Sequence, residues 1–191
     1  MKLAAGLAQL GRMVQERGAP FALVGGIAAS ARGEARFTRD IDVAVVVGSD
    51  ADSEALLFWL RERGYVPVAI VEHEAARRTA RLRDQEGIVC DVMFASTGIE
   101  REIVESAVAT EVFPGCTVPT ASVEALLAMK VLAATTARPR DAGDIRAMVL
   151  ANPDFDEARV MSYLALVEQR GYGRGQKLGA KWRKLRKALG V

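Results

Sequence analysis

The sequence contains few of the residues that cross-link proteins or bind transition metals: two cysteines and one histidine among 191 residues. Cys90 and Cys116 match neither the spacing of a metal site nor a disulfide framework. His73 has no second histidine at ligand spacing. These absences favour a reduced compartment with both cysteines packed in the core, and a bridge between the two stays an open alternative.

Long apolar runs are also missing. Half of the residues are apolar, enough for a folded core, yet no run approaches the roughly 20 residues of a membrane span. The first 20 residues meet arginine or glutamine every few positions instead of forming the apolar centre of a signal peptide. We therefore predict a cytoplasmic protein with no membrane partner, built as one domain or as a core domain with a helical appendage.

Acidic residues are absent from residue 170 onward, where eight lysines and arginines occur. Residues 1–169 hold the other eighteen basic residues and all twenty-four acidic ones, a net charge of −6. Apolar side chains recur at helical intervals within the basic segment, at Leu178, Trp182, Leu185 and Leu189. Two interpretations follow: a final helix that docks by these apolar side chains, or a basic arm for nucleic-acid phosphates.

The pattern of apolar residues predicts a mixed α/β (α+β) half, residues 1–118, followed by a helical half with a basic tail, residues 119–191. The tight turn at residues 85–87 predicts an antiparallel hairpin. Predicted helices cover residues 2–17, 27–32, 52–64, 122–137, 140–152, 156–171 and the basic segment, and predicted strands cover residues 21–24, 40–47, 65–71, 77–84, 87–95 and 109–119.

Three aspartates interrupt strands that are otherwise apolar. Asp40 and Asp42 stand two residues apart at the head of one strand, so their side chains share a face. Asp91 interrupts the strand of residues 87–95, although aspartate is depleted in strands and is rarely buried without a partner. On adjacent strands the three carboxylates would supply hard oxygen ligands for one or two Mg²⁺ ions beside a triphosphate.

A double glycine, Gly25-Gly26, joins the first strand to the next helix. Backbone N–H groups at such a helix N-terminus can cradle phosphate, because no side chain blocks the approach. The same pair can also serve as a plain tight turn. Its weight as a phosphate site comes from the aspartates that follow it.

Gly25-Gly26, thirteen intervening residues, Asp40-Ile41-Asp42 and a later strand Asp91 resemble the nucleotidyltransferase superfamily that includes DNA polymerase β. The resemblance covers residues 20–95 and implies a mixed sheet flanked by helices. It implies that Asp40 and Asp42 bind the metal ions. It also implies that Asp91 completes the catalytic metal site and is suited to drawing the proton from the attacking hydroxyl.

A narrower resemblance reaches residue 150 and is to the nucleotidyltransferases of the type IV abortive-infection toxin group. In that group an Arg-x-Thr segment precedes the acidic pair, here Arg36 to Thr38, and a helical lysine precedes an Arg-Asp-x-x-Asp segment, here Lys130 followed by Arg140, Asp141 and Asp144. The resemblance implies nucleotide-binding roles for these residues.

Other roles stay open for the same residues. Lys130 could be a lysine that extends from an apolar helix to solvent. Asp141 and Asp144 could complement a helix dipole, and Arg36 could pair with Asp40 or Asp42. Many superfamily members have Gly-Ser where this chain has Gly25-Gly26, so the phosphate contact of that serine must come from the backbone or from Ser30.

Other phosphate and acidic-pair motifs fit less well. In haloacid-dehalogenase-type phosphatases and many glycosyltransferases the acidic pair follows its apolar strand, whereas here it precedes residues 43–47. The chain has no GxxxxGK[ST] motif, which disfavours a P-loop NTPase. The segment GYGRGQK, residues 171–177, has the composition of a glycine loop but no apolar strand before it.

The predicted function is Mg²⁺-dependent transfer of a nucleotide from an NTP to an acceptor hydroxyl. The toxin resemblance and the basic tail favour an RNA acceptor such as a tRNA end, and imply a toxin with an antitoxin protein as its partner. One alternative is a small-molecule acceptor such as an aminoglycoside, which would need an acidic acceptor cleft for a polycation. Another is a catalytically idle module that binds nucleotides or RNA.

Overall fold

The computed structural model describes residues 2–35, 37–73, 77–94, 96–135 and 138–191. In chain order the elements are α1 (Lys2–Glu16), β1 (Phe21–Val24), α2 (Gly25–Arg32), β2 (Asp40–Val45), α3 (Asp50–Glu62), β3 (Val66–His73), β4 (Arg77–Arg83), β5 (Val89–Met93), α4 (Glu100–Glu105), β6 (Val108–Phe113), β7 (Cys116–Thr120), α5 (Val123–Ala133), α6 (Pro139–Ala151), α7 (Glu157–Gln169) and α8 (Leu178–Leu189).

The strands form one mixed sheet in the order β3-β4-β5-β2-β1-β7-β6. Two strand pairs, β2 with β5 and β1 with β7, are parallel, whereas β1 with β2, β3 with β4, β4 with β5, and β6 with β7 are antiparallel. The predicted hairpin around residues 85–87 is confirmed as β4 and β5. The predicted mixed sheet with flanking helices is confirmed as well.

Local sequence explains where the helices begin. Ser49, Ser122 and Asp156 are N-cap residues whose side chains accept backbone N–H groups of the first turns of α3, α5 and α7. Pro139 opens α6, a position where its missing N–H costs nothing. All four residues of β1 are buried, because this strand lies at the centre of the sheet.

The helical half packs against the sheet domain and against itself. Helix α5 contacts α6, α7 and α8, and both α5 and α6 contact α2. Helix α8 docks by Leu178 and Trp182, which are buried, and the Trp182 indole Nε1 donates to Glu157 at 2.9 Å. The docking interpretation of the basic tail is therefore confirmed, and it leaves the charged face of α8 outward.

The hairpin of β6 (Val108–Phe113) and β7 (Cys116–Thr120) and the helix α4 differ from the sequence prediction. Residues 109–119, predicted as one strand, belong to the hairpin of β6 and β7, because Gly115, with φ of 73°, allows a tight reversal between them. The short helix α4 was not expected. The predicted division after residue 118 falls within β7, whose last residue, Thr120, pairs with Leu23 of β1.

Both cysteines are free and buried. Among the described residues, no helix combines the length and the apolar composition that crossing a bilayer would require.

Candidate active site

The register of the sheet brings the predicted aspartates together. In the parallel pair of β2 and β5, Asp42 lies directly beside Asp91, and Asp40 lies two residues earlier on the same face of β2. The prediction that the three aspartates occupy adjacent strands is confirmed. All three line one cleft of about 1140 Å³.

The double glycine is explained by Asp42. Gly25 has φ of 66°, and a Cβ atom there would lie 2.0 Å from Asp42 Oδ2, so no other residue fits without displacing this carboxylate. The backbone N–H of Gly26 donates to the same oxygen at 3.3 Å. The glycine turn therefore lets the carboxylate of Asp42 approach its backbone, and the phosphate role of Gly25 and Gly26 stays a prediction.

The carboxyl group of Asp42 is held under electrostatic strain. Burial, the neighbouring charge of Asp91 and, to a smaller extent, that of Asp40 raise its pKa from 3.8 to about 6, although the Gly26 hydrogen bond and Lys130 act in the opposite direction. The group still ionises near neutral pH, but its ionised form is less stable than that of an exposed aspartate, and a cation entering the site would relieve this cost. The carboxylate oxygens of Asp40 and Asp42 are the ligand type that Mg²⁺ prefers.

Asp91 already has a cationic partner. Arg81 of β4 faces it across the antiparallel pair and donates from Nε at 2.8 Å and from Nη2 at 2.7 Å, one bond to each carboxylate oxygen. This fork raises the pKa of Arg81 above its ordinary value. Within the described residues, no three histidine, cysteine, aspartate or glutamate side chains surround a common metal position. Asp40 and Asp42, on one face of β2, have carboxylates of the type that holds Mg²⁺, whereas Asp91 would have to exchange Arg81 for the ion.

A second charged cluster comes from the helical half. The Lys130 ammonium on α5 lies 2.8 Å from Asp141 Oδ1 and 2.7 Å from Asp144 Oδ2, both on α6. The second oxygen of Asp141 is buried and receives no hydrogen bond from the described residues, although Arg138 Nε lies 3.2 Å away. The cluster ties α5 to α6.

The turn that closes the cleft beyond β5 is built by Glu100. Its nearly buried carboxylate accepts the backbone N–H groups of Ser96 at 2.7 Å, Thr97 at 2.6 Å and Gly98 at 2.9 Å. Ser96 and Thr97 line the cleft. This network fixes the position of the turn relative to the end of β5.

Most of the predicted site residues meet at the cleft. Its lining includes Gly25, Gly26, Thr38, Lys130 and Asp141 together with the three aspartates. Asp144 supports Lys130 from behind.

Two predicted residues are not placed there. The Ser30 hydroxyl donates to the backbone oxygen of Gly26 at 3.0 Å, within its own helix, and Ser30 is not in the lining. The Arg36 prediction lies outside the described residues.

Further cleft residues were missed by reading the sequence. Arg81 could have been found, because a hairpin centred on residue 86 places residue 81 opposite residue 91. Phe37, which is 77% exposed, lines the cleft. The Arg39 guanidinium carbon lies 5.2 Å from the centroid of the Phe37 ring. Arg138 and Arg174 enter from the helical half, and their positions depend on tertiary packing that the sequence does not display.

A mixed sheet that presents paired aspartates beside a glycine turn is the arrangement expected from the resemblance to nucleotidyltransferases. The chain's sequence matches the model of the family described as nucleotidyl transferase AbiEii toxin, type IV toxin–antitoxin system, over residues 10–187. The chain belongs to this family and is a nucleotidyltransferase. Family membership implies a nucleoside triphosphate substrate.

Solved structures share the fold. An antigenic nucleotidyltransferase-like protein from Paracoccidioides brasiliensis is similar over 95% of this chain and 92% of its own, with a TM-score of 0.52 and 17% identity. The antibiotic-resistance factor ANT(2'')-Ia is similar over 88% of this chain and 92% of its own, with a TM-score of 0.56 and 20% identity. For the lincosamide antibiotic adenylyltransferase LnuA, bound to lincomycin, the coverage is 74% and 95%, the TM-score 0.51 and the identity 16%. A comparison with curated proteins gives no significant match.

Proposed function

We propose that this chain is a Mg²⁺-dependent toxin-type enzyme that transfers a nucleoside monophosphate from an NTP to a hydroxyl of RNA, such as a tRNA end. The observation that carries the proposal is the pairing of Asp42 with Asp91 on adjacent strands. The Asp42 carboxylate lies against Gly25, where a residue with a side chain would displace it. This geometry gathers negative charge at one wall of a cleft that has several cationic side chains.

The chain's own residues would divide the work as follows. Asp40 and Asp42 would hold Mg²⁺, with Asp91 joining them. When bound, the ion neutralises phosphate charge and polarises the α-phosphate. Asp91 would accept the proton of the attacking hydroxyl at the carboxylate oxygen that Arg81 releases. Lys130 uses two of its three N–H donors on Asp141 and Asp144, so the third can donate to a phosphate oxygen.

The charge of the cleft supports a polyanionic acceptor. Its described lining has four aspartates and six cationic side chains, the latter being Arg39, Arg81, Lys130, Arg138, Arg140 and Arg174. An excess of positive charge attracts a triphosphate and a nucleic-acid backbone and repels a polycation. The outward lysines and arginines of α8 add further positive charge.

A small-molecule acceptor is the second candidate, because one structural neighbour is an antibiotic-resistance factor and another is a lincosamide antibiotic adenylyltransferase. Their identities to this chain, 20% and 16%, concern the fold alone. An aminoglycoside is a polycation and would have to enter a cleft whose described side chains are net positive. The charge balance therefore favours RNA over an aminoglycoside.

The deciding experiment incubates the protein with each of the four α-labelled NTPs and Mg²⁺ against total RNA, a panel of aminoglycosides and protein acceptors. We expect label in RNA, with Asp42→Asn as the inactive control. Label in an aminoglycoside would move the assignment to the second candidate. No label in any acceptor, at protein concentrations that bind NTP, would favour the idle binding module.

The contribution of the basic tail needs a variant that keeps the fold. Truncating α8 would remove the buried Trp182, so charge reversal of the exposed Arg183, Lys184 and Lys187 is the cleaner change. We expect weaker RNA binding and a shallower dependence of affinity on salt, because fewer phosphates are neutralised. An unchanged affinity and salt slope would remove α8 from the RNA-binding surface.

The type IV toxin–antitoxin context of the family implies an antitoxin partner. Toxicity itself is part of the proposal: expression of the wild-type chain should arrest growth, and expression of Asp42→Asn should not. The cytoplasmic location stays a prediction from the sequence.

A further inference from the structure

The loop between α7 and α8, residues 170–177, contains an arginine in an unusual backbone conformation. Arg174 has φ of 53°, the left-handed region that glycine occupies easily and arginine rarely does. It is the one non-glycine residue with positive φ among those the structure describes. Its glycine neighbours Gly171 and Gly175 also have positive φ. A glycine at position 174 would suit this turn better, so the arginine side chain needs a reason.

The loop is anchored to the wall of the cleft. Arg170 Nη1 donates to the backbone oxygen of Gly98 at 2.6 Å, and its Nη2 bonds to Glu102 Oε1 at 2.7 Å. The Tyr172 ring packs against Gly98 so closely that a Cβ atom there would lie 2.4 Å from the ring. The loop therefore sits on the same turn, residues 96–98, that Glu100 fixes beyond β5.

The other end of the loop is held as well. The N–H of Gln176 donates to the backbone oxygen of Gly173 at 2.9 Å, and the Lys181 ammonium donates to the Gln176 side chain at 2.7 Å. The Glu168 carboxylate accepts the N–H of Leu178. With both ends bound, the backbone that carries Arg174 is pre-organised, which reduces the entropy lost when its side chain binds a ligand.

The Arg174 side chain lines the same cleft as Asp42 and Asp91. No carboxylate of the described chain lies within 4.0 Å of its guanidinium nitrogens, whereas Arg81 and Lys130 in the same cleft are both ion-paired. Its uncompensated charge is felt by Lys181, whose pKa is lowered first by burial and then by Arg174. A cation held at a cleft wall without an acidic partner is suited to an anionic ligand.

We propose that Arg174 binds the triphosphate of the NTP, so that the C-terminal glycine loop completes a nucleotide site otherwise built on the sheet. The inference rests on the proposed function. The planar guanidinium can donate two parallel hydrogen bonds to phosphate oxygens, a geometry that a lysine ammonium does not reproduce. The glycines of the loop let its backbone turn, and Arg174 accepts the same conformation to direct its side chain into the cleft.

The test compares Arg174→Gly, Arg174→Lys and the wild-type protein in binding measurements without turnover. The probes are magnesium tripolyphosphate and the α,β-methylene analogues of the four NTPs. Their binding is measured by titration calorimetry. Arg174→Gly should lose at least about tenfold in affinity for the analogues, or 1.4 kcal/mol, and Arg174→Lys should recover only part of it. The control is Arg146→Ala, an exposed arginine on α6 outside the cleft, whose affinity should stay within twofold.

The substitution Arg174→Gly also serves as its own control for folding. Glycine accepts the left-handed conformation, so Arg174→Gly should keep or raise the melting temperature while affinity falls. A loss of affinity together with a lower melting temperature for Arg174→Gly would indicate a structural role and overturn the proposal.

Two further results would also overturn it. One is an analogue affinity of Arg174→Gly equal to that of the wild type. The other is a loss confined to RNA oligonucleotides, which would assign Arg174 to the acceptor. Either result leaves the proposed function standing. Failure of the wild-type protein itself to bind any analogue would instead count against the proposed function.

Discussion

The carboxylates of the sheet and those of the helical half meet at one cleft, but their charges are balanced differently. Asp141 and Asp144 share the ammonium of Lys130, in a cluster whose side chains are 4%, 7% and 13% exposed. On the sheet, Arg81 takes both oxygens of Asp91, while Asp42, among the residues that the structure describes, accepts a backbone N–H and keeps a raised pKa.

The two clusters therefore differ in charge balance: the helical cluster contains a cation between its carboxylates, whereas Asp42 has a backbone N–H as its partner among the described residues. The helical cluster holds its own counter-charge and so contributes to the packing of α5 on α6. The sheet cluster gains its missing positive charge only when a ligand or metal arrives, so it weakens the free protein and favours the bound one. Removing a charge should therefore lower the free energy of unfolding at Lys130 of the helical cluster and raise it at Asp42 of the sheet cluster.

The largest expected effect is on activity at the sheet cluster. Asp42→Asn keeps the shape of the side chain and removes a metal-binding charge, so nucleotide transfer should fall by at least about a thousandfold. Initial rates of label incorporation measure it. Asp154→Asn, a substitution of an exposed aspartate outside the cleft, serves as the control and should keep wild-type rates.

The largest expected effect on stability is at the helical cluster. Lys130→Met removes the ammonium that the buried Asp141 and Asp144 share, although Asp141 keeps Arg138 at 3.2 Å, and should lower the free energy of unfolding by about 3–5 kcal/mol. Urea denaturation measures the change. Lys184→Met on the exposed face of α8 should cost less than about 0.5 kcal/mol.

The contributions of charge and of packing to the cost of Lys130→Met can be separated. Adding Asp141→Asn and Asp144→Asn to Lys130→Met should restore part of the loss, because the carboxylates no longer need a cation. If the triple variant is no more stable than Lys130→Met, the cost comes from packing rather than from charge.

The sheet cluster should show the opposite sign and a dependence on pH. The pKa of Asp42 is about 6 in the folded protein against an ordinary 3.8, so the folded state holds this proton more tightly and loses stability as pH rises between those values. Asp42→Asn should thus be more stable than the wild type above pH 6, by up to about 3 kcal/mol. The advantage should shrink toward pH 4. Denaturation curves at several pH values would contradict the interpretation if the two proteins stayed parallel throughout.

A smaller effect is expected at Gly25, where the cost of contact with Asp42 can be separated from the cost of a positive φ. Gly25→Ala meets both an unfavourable φ and the Asp42 carboxylate, and should cost about 2 kcal/mol of stability and about a hundredfold in rate. Gly115→Ala has a similar φ, 73°, with no atom within 4 Å of the added Cβ, and should cost only about 1 kcal/mol with full activity. Equal effects of the two substitutions would mean that contact with Asp42 is unimportant.

Much of the sheet site could be predicted because its signals are local. Aspartates at Asp40, Asp42 and Asp91 stand out against apolar neighbours, and the strand period fixes which side chains share a face. The hairpin turn at residues 85–87 even contained the register that pairs Arg81 with Asp91. What the sequence did not reveal was that Asp42 itself would occupy the space beside Gly25.

The helical contribution was harder to predict because it depends on how distant helices pack. Lys130 pairs with residues more than ten positions away on another helix, and that pairing needs the α5–α6 arrangement. The glycine-rich segment 171–177 was visible as a composition, but its place beside residues 96–98 follows from contacts made by Arg170 and Tyr172. Tertiary contacts of this kind have no periodic signature.

The most direct test of the central claim follows the two ends of the triphosphate. Reactions with RNA and Mg²⁺ are run in parallel with α-labelled and γ-labelled samples of the NTP that the enzyme uses. We expect the α label to appear in RNA and the γ label to leave as pyrophosphate, with both signals absent in Asp42→Asn. Transfer of the γ label to the acceptor, or transfer of the α label that survives Asp42→Asn, would contradict it.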